Sequence, residues 1–417
     1  MSPPFHIEVV QKPNSHVSTD CIKTMVKNYL YNFETMTPGL IIPNSDFAKD
    51  IELSANVFSI TFCDERDDWE PDVASITDSA IVYHVYKLNG FGEEQIDAMT
   101  DTIGGEEVSF ADLQTLPSEG FHGLWESLVY DSQLKQETLR FVETAFEFAD
   151  RGVDSNIIGW NHVVLFHGPP GTGKTSLCRA LAQKLAIRHA ARFPRACLLE
   201  INAHSLFSKW FSESGKLVAK LFEHVRELVE DKRMLVCILV DEVESLAQAR
   251  SAAMSGVEPS DSIRAVNALL TQLDRLKRYP NALVLTTSNV TGAIDVAFVD
   301  RADIKRRVGP PTERAAFKIL CGCIRELMVR GVMPQTEVGE LESLRLGEVA
   351  KSAAEHRLSA RALRRLPFLA RALHSTPSDS LTDFLGALRT ALLRHLADTA
   401  DLDDPRPNGD HRNCASR

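Results

Sequence analysis

Residues 168–175 read GPPGTGKT. A strand-like HVVLF leads into them, and a helical stretch, 176–185, leads away. In that setting Gly168, Gly171 and Gly173 let backbone N–H groups turn inward around a polyphosphate, with Pro169, Pro170 and Thr172 completing the loop and Ser176 following it. The helix N-terminus adds the positive end of a dipole. Lys174 is placed to reach the β and γ phosphates, and the Thr175 hydroxyl to ligate Mg2+. A Gly/Pro turn that binds nothing would explain the glycines, but not strand, loop and helix in this order.

A second pair of chemical groups ends another apolar run. MLVCILVDE (234–242) reads as a strand with two carboxylates at its C-terminal edge, where parallel sheets carry their chemistry. Asp241 is placed to hold Mg2+ through its water shell, and Glu242 to orient and activate an attacking water. An acidic helix cap would explain one carboxylate, but not its pairing with a phosphate loop. A third run, ALVLTTSN, ends in Asn289, a side chain able to position the lytic water between the two motifs. No (N/T)KxD guanine-reading motif occurs, which argues against a GTPase.

These groups need a sheet to carry them. From 160 to 310 apolar strands alternate with helical stretches, the pattern of an α/β fold with a parallel sheet covered on both faces. Strands are expected at 163–166, 196–201, 235–240 and 283–287. Before them, strands at 7–10, 57–62 and 80–88 and a helix at 22–33 make a small α+β domain, with loops at 64–72 and 90–107. A helical region with an amphipathic second half is expected over 121–148. After Pro310-Pro311 the chain reads as helical to about residue 397. The expected domains are 1–105, 106–310, a helical lid at 311–400 and a disordered polar tail at 401–417.

Composition sets the outer limits. The 417 residues carry a net charge of −11, which excludes a polycationic nucleic-acid coat. No apolar run approaches the ~20 residues of a membrane helix, and MSPPFHIEVV lacks a secretory pattern. Eight cysteines without a CxxC pair point to free thiols in a reducing compartment. Thirteen histidines without HxxxH or HExxH spacing argue no zinc site. The CxC of Cys321 and Cys323 lies on an expected helix and points its thiols to different sides.

Phosphate loop, acidic pair, strand-end Asn289, then Arg301 in IDVAFVDRADIKRRVGPP and Arg361 in RLSARALRRLPF resemble, in this order, the AAA+ ATPases. Either arginine alone would read as a solvated helix-surface charge; the order of motifs gives both a catalytic role. The likeness sharpens at FHGLWESLVYD, INAHSLFSKWFSESGKLV, VDEVESLAQAR, EPSDSIRAVNALLTQLDRLKR and TTSNVTGAIDVAFVDRADIK. These segments resemble the pachytene checkpoint ATPase family, densely from about 120 to 310 and more thinly in the lid. Over 1–105 the resemblance rests mainly on position and the opening strand.

The resemblance implies a ring-shaped homohexamer that spends ATP to unfold part of HORMA-domain proteins in the spindle checkpoint and on meiotic chromosome axes. It implies an N-terminal domain that receives substrate, often through a HORMA-fold adaptor, and residence in nucleus and cytoplasm at meiotic chromosomes and kinetochores. Arg301 is the first choice for a finger reaching into the neighbouring subunit, with Arg306 and Arg307 open. By the same resemblance Trp210 and Phe211 face a central pore, where flat side chains press on any extended peptide. The competing reading makes them core aromatics at a helix end. Gly256, Val257 and Glu258 are candidates for a second pore loop.

Two other functions compete. A DNA-directed AAA+ machine, a clamp loader or helicase, would need an interior lined with Lys and Arg. The acidic balance and the aromatic pair favour peptide, and the arginine-rich 357–371 stretch reads as a solvated lid face, so no direct nucleic-acid or membrane binding is expected. A nucleotide-binding scaffold without catalysis conflicts with intact Lys174, Asp241 and Glu242.

Overall fold

The computed structural model describes residues 5–31, 35–36, 39–63, 74–75, 81–90, 96–103, 106–154, 156–202, 214–245, 261–289, 294–373 and 380–403. It forms two compact units, Met1–Gly309 and Pro310–Arg417.

The first unit opens with β1 (Phe5–Gln11), α1 (Thr19–Leu30), β2 (Thr35–Met36), β3 (Ile41–Pro43), α2 (Ile51–Asn56), β4 (Val57–Cys63), β5 (Ala74–Ser75) and β6 (Ile81–Lys87). Four of these strands make a sheet in the order β3-β4-β1-β6, with β1 antiparallel to β4 and parallel to β6. Alternation along β1 sorts its side chains. Phe5, Ile7 and Val9 join Ile22, Val26 and Leu30 of α1 in one apolar cluster. Ser18 caps α1 by accepting the Cys21 N–H.

The larger sheet follows. Its elements are β7 (Ile96–Ile103), β8 (Glu106–Leu116), α3 (Leu124–Ser127), α4 (Leu134–Asp150), β9 (Val163–His167), α5 (Lys174–Arg188), β10 (Arg195–Asn202), α6 (Ser214–Glu230), β11 (Met234–Asp241), α7 (Asp261–Leu276), β12 (Ala282–Ser288), α8 (Val296–Arg301) and β13 (Ile304–Arg307). The strand order is β13-β9-β12-β11-β10-β8-β7. The strands from β13 to β10 run parallel, and the β7–β8 hairpin adds antiparallel strands beside β10. The period of two splits each central strand between two cores. Val163, Leu165, Ile238 and Val284 pack with Phe222 of α6 and Leu269 of α7. Val164, Phe166, Leu239 and Leu285 pack with Phe146 of α4 and Leu181 of α5. All five parallel strands end at one edge, and the phosphate-loop residues follow β9 there.

The structure revises three expectations in this unit. The loop expected at 90–107 contains β7, and the boundary expected at 105 falls inside the β7–β8 hairpin. Asp97, Thr100, Asp101 and Thr102 hide the strand, because an outer hairpin strand is held by backbone pairing and needs no apolar alternation. The charged β13 was unreadable for the same reason. The helical region expected from 121 is the short α3 followed by α4 from Leu134. The loop expected at 64–72 lies outside the described residues.

The second unit holds α9 (Glu313–Val329), α10 (Glu340–Glu355), α11 (Ala360–Leu373) and α12 (Leu381–Asp403). Thr312 caps α9 by accepting the Ala315 N–H. Pro367 sits inside α11 and is buried, as are Leu363 and Leu366. α12 runs past the helical end expected near 397, and the tail from 404 lies outside the described residues.

One ionic knot fastens the four-stranded sheet to α3 and α5, which pack beside the large sheet. Lys184 of α5 reaches both carboxylate oxygens of Glu8 on β1 at 2.8 Å and Glu126 on α3 at 2.9 Å, with Cys63 Sγ at 3.5 Å. Glu8 and Lys184 are only 3% and 2% exposed. The three acceptors resemble a metal-ligand set, but the ammonium is their cation. Burial alone would lower the Lys184 pKa, yet the carboxylates hold it well above its ordinary value. Burial alone would raise Glu126, but the charge and hydrogen bond of Lys184 pull it below 4.5.

Removing Lys184 would leave the buried Glu8 and the half-buried Glu126 carboxylates unpaired. Lys184→Ala should therefore cost about 3–5 kcal/mol in unfolding free energy, read by urea titration. Because folded Glu126 titrates below 4.5, its contribution is present above that pH and fades as pH falls through the depressed value. Glu126→Gln should flatten this acid limb. Parental stability in Lys184→Ala would show that the knot holds nothing.

Candidate active site

The phosphate loop is shaped by what surrounds it. Gly168 has φ 145°, and a Cβ there would lie 2.2 Å from the Val308 carbonyl oxygen beyond β13. Only glycine fits between β9 and that backbone. Gly173 has φ 93° and opens α5, its carbonyl accepting the Tyr130 hydroxyl at 3.1 Å. Inside the loop, the Lys174 ammonium donates to the Gly168 and Pro169 carbonyls at 2.9 and 2.8 Å, and Thr172 Oγ1 donates to Pro169 O at 3.0 Å.

The acidic pair meets this loop at the sheet edge. Asp241 ends β11, and Thr175 Oγ1 donates to its Oδ1 at 3.0 Å. Thr287 of β12 donates a short hydrogen bond to the same oxygen. Glu242 follows with φ 59°, a left-handed conformation uncommon for a side chain of this size. Its N–H donates to Thr287 Oγ1 at 3.2 Å, and the Val243 N–H to Thr287 O at 2.9 Å. That turn brings the Glu242 carboxylate to Asn289, whose Nδ2 stands 3.5 Å from Oε1, the outer limit of a hydrogen bond. Five expected residues, Lys174, Thr175, Asp241, Glu242 and Asn289, thus share one sheet edge.

Charge around the loop is controlled. Burial, then the cations of Arg307 and Lys174, lower the His167 pKa, leaving a neutral imidazole at neutral pH. Arg179 of α5 donates to both oxygens of Glu200 on β10 at 2.9 and 2.7 Å, pairing an acid beside the pocket.

The arginines separate by position. The Arg301 carbonyl accepts Asn161 Nδ2 at 2.9 Å, which puts Arg301 at the N-terminal end of β9. A five-residue strand spans ~13–17 Å, so Arg301 lies far from its own phosphate loop. Its guanidinium forks onto Asp274 at 3.0 and 2.8 Å. Arg306 donates to Glu137 at 3.1 Å, and Arg307 pairs in register with His167, level with its own loop. Arg361 is exposed in the first turn of α11, in the second unit. Trp210, Phe211, Gly256, Val257 and Glu258 lie outside the described residues.

Sequence reasoning passed over Thr287, Tyr130 and Glu244. TTSN offered a hydroxyl beside the strand end, and VDEVE a third carboxylate; neither spacing reveals its partner.

Comparison with known proteins agrees along the length of the chain. Residues 1–90 match the family described as TRIP13 N-terminal domain, 164–310 the ATPase family associated with various cellular activities (AAA), and 335–396 the TRIP13-like AAA+ ATPase lid C-terminal domain. Pachytene checkpoint protein 2 homolog of Mus musculus is 46% identical over 411 residues, covering 94% of this chain and 93% of its own. The chain belongs to the pachytene checkpoint protein 2 family of AAA+ ATPases. The homolog of Oryza sativa subsp. indica is 49% identical over 385 residues, covering 86% of this chain and 80% of its own. The structure of C. elegans PCH-2 superposes with a TM-score of 0.76 at 32% identity, covering 94% of this chain and 99% of that one. The Trip13 fold is also shared by the E. coli MS115-1 HORMA:CdnC:Trip13 complex, at a TM-score of 0.53, 18% identity and coverage of 67% of this chain and 95% of that one.

As a pachytene checkpoint protein 2 family member, the chain is an ATP hydrolase. Glu242 and Asn289 face each other at 3.5 Å, a carboxylate and a carboxamide in the arrangement that water activation requires. Lys174 lies inside the loop, where a phosphate-binding lysine is expected.

Glu242→Gln should keep ATP affinity and lose turnover by ~10² or more, since only the proton acceptor is removed. Lys174→Ala should lose nucleotide binding instead. A fluorescent-nucleotide titration and a phosphate-release assay separate the two. A Gln variant turning over at the parental rate would disqualify Glu242 as the base.

Proposed function

We propose that the chain assembles as a homohexamer and uses ATP hydrolysis to remodel HORMA-domain proteins, serving the spindle checkpoint and meiotic chromosome-axis control. The carrying observation is the match of one chain, in order, to the family's N-terminal domain, its ATPase core and its own type of lid. A HORMA protein is named with a Trip13 in the E. coli complex, which supports that substrate class. The N-terminal domain receives the substrate, with a HORMA-fold adaptor, in the nucleus and cytoplasm. Mg2+ accompanies ATP: the Thr175 hydroxyl and Asp241 carboxylate, 3.0 Å apart, form a hard-oxygen pair suited to it. When bound it neutralises charge on the phosphates.

Arg301 acts at the neighbouring subunit's phosphate, since it lies a strand length from its own loop. To do so it exchanges Asp274 for phosphate. An arginine finger supplied in trans contributes ~10³–10⁵ in rate. Arg361 senses nucleotide from the lid. Mixing Arg301→Ala with Lys174→Ala subunits should restore part of the ATPase, because some junctions pair an intact finger with an intact pocket. Confirmed mixed rings without recovery at any ratio would exclude the trans role.

Trp210 and Phe211 grip an extended segment of substrate in the pore. Trp210→Ala should lose HORMA-protein conversion and substrate-stimulated turnover far more than basal ATPase. A core Trp would behave otherwise: truncation would cost ~3–5 kcal/mol and lower every activity with the melting temperature. Melting, basal ATPase and conversion measured on one preparation decide between them.

A further inference from the structure

The third carboxylate of VDEVE lies outside the acidic pair. Glu244 is 8% exposed. Its Oε1 accepts the Asn289 N–H at 3.2 Å, while Oε2 is buried without a hydrogen-bond partner among the described residues. An unpaired buried carboxylate oxygen is an energetic liability, and an apolar residue would avoid it. The liability is borne at a spot where geometry matters. Three other bonds join the ends of β11 and β12, from the Glu242 and Val243 N–H groups to Thr287 and from the Thr287 hydroxyl to Asp241, and none reaches past Thr287. The Glu244 bond reaches Asn289 itself, the residue whose carboxamide faces the Glu242 carboxylate at 3.5 Å.

We infer that Glu244 is a positioning residue for hydrolysis: its carboxylate holds the Asn289 backbone so that the Asn289 side chain stays against Glu242. Glu244, two residues beyond the base, acts through Asn289 and sets where the attacking water is held. A displacement of about 1 Å at such a point costs up to ~10²-fold in rate. Loss of Glu244 therefore lowers kcat and leaves ATP affinity, which depends on the phosphate loop, nearly intact.

Two substitutions separate reach from charge. Glu244→Asp keeps the charge but withdraws the acceptor by one methylene, ~1.5 Å. Glu244→Gln keeps the acceptor and removes the charge. Steady-state ATPase on the full chain, with melting curves alongside, should show Glu244→Asp lowering kcat ~10-fold or more with KM within ~2-fold. Glu244→Gln should retain kcat within ~3-fold and melt no lower than the Asp variant. Adding Asn289→Ala to Glu244→Asp should give no loss beyond that of Asn289→Ala alone, because both act through one carboxamide. Losses that multiply, equal loss in Asp and Gln, or no loss in Asp would each overturn the proposal. The inference rests on ATP hydrolysis at this pocket, and the two fail differently. An inert parent chain would contradict the ATPase reading, whereas an active parent with insensitive variants would contradict only the role of Glu244.

Discussion

Asp241 is the point on which the nucleotide site depends. Its carboxylate accepts hydroxyls from Thr175 at the start of α5 and Thr287 near the end of β12. Those elements belong to opposite sides of the phosphate chemistry, one carrying the loop and the other leading to Asn289. Both hydroxyls reach one carboxylate only if β9, β12 and β11 end level with one another. The register Val240 to Thr286 and Ser288 to His167 provides that alignment. A slip by one residue would turn Asp241 to the other face and send Thr287 away with it. The two apolar cores guard the register, because the same slip would push Ile238 and Leu239 into each other's layers.

The chain gathers its phosphate-loop and acidic residues at one edge and keeps Arg301 apart from them. Lys174, Thr175, Asp241, Glu242 and Asn289 gather at the C-terminal edge of the large sheet. Arg301 sits by the opposite edge, its backbone tied to Asn161 and its fork closed on Asp274. Arg307 stands level with the loop of its own chain. Backbone position thus divides three neighbouring arginines that spacing alone leaves equivalent.

Legibility in the sequence followed the strength of local pattern. GPPGTGKT and the VDE strand end were readable because phosphate binding demands particular residue types at fixed spacing, and the structure gathers both at one edge. The central strands were readable because burial on both faces makes them continuous apolar runs. β7 and β13 were hidden because an outer strand needs backbone pairing and tolerates charge. The role of Thr287 was invisible, since a hydroxyl in a strand says nothing of which carboxylate lies across the sheet. Gly168 was legible as a loop glycine, but the reason for it, the Val308 carbonyl 2.2 Å from any added Cβ, comes from 140 residues further along.

Long separations have a cost in time. Glu8 is made 176 positions before its cation, Lys184. Until then the carboxylate must stay in water, and the face of the small sheet that carries it must stay open. A ribosome adding ~5–20 residues per second delivers Lys184 roughly 10–35 s after Glu8. The small domain can fold in that interval, but its final seat exists only once α5 has left the exit tunnel. Docking is therefore a late step of biogenesis, and a nascent chain stalled before α5 presents to chaperones a folded domain with Glu8 still unpaired.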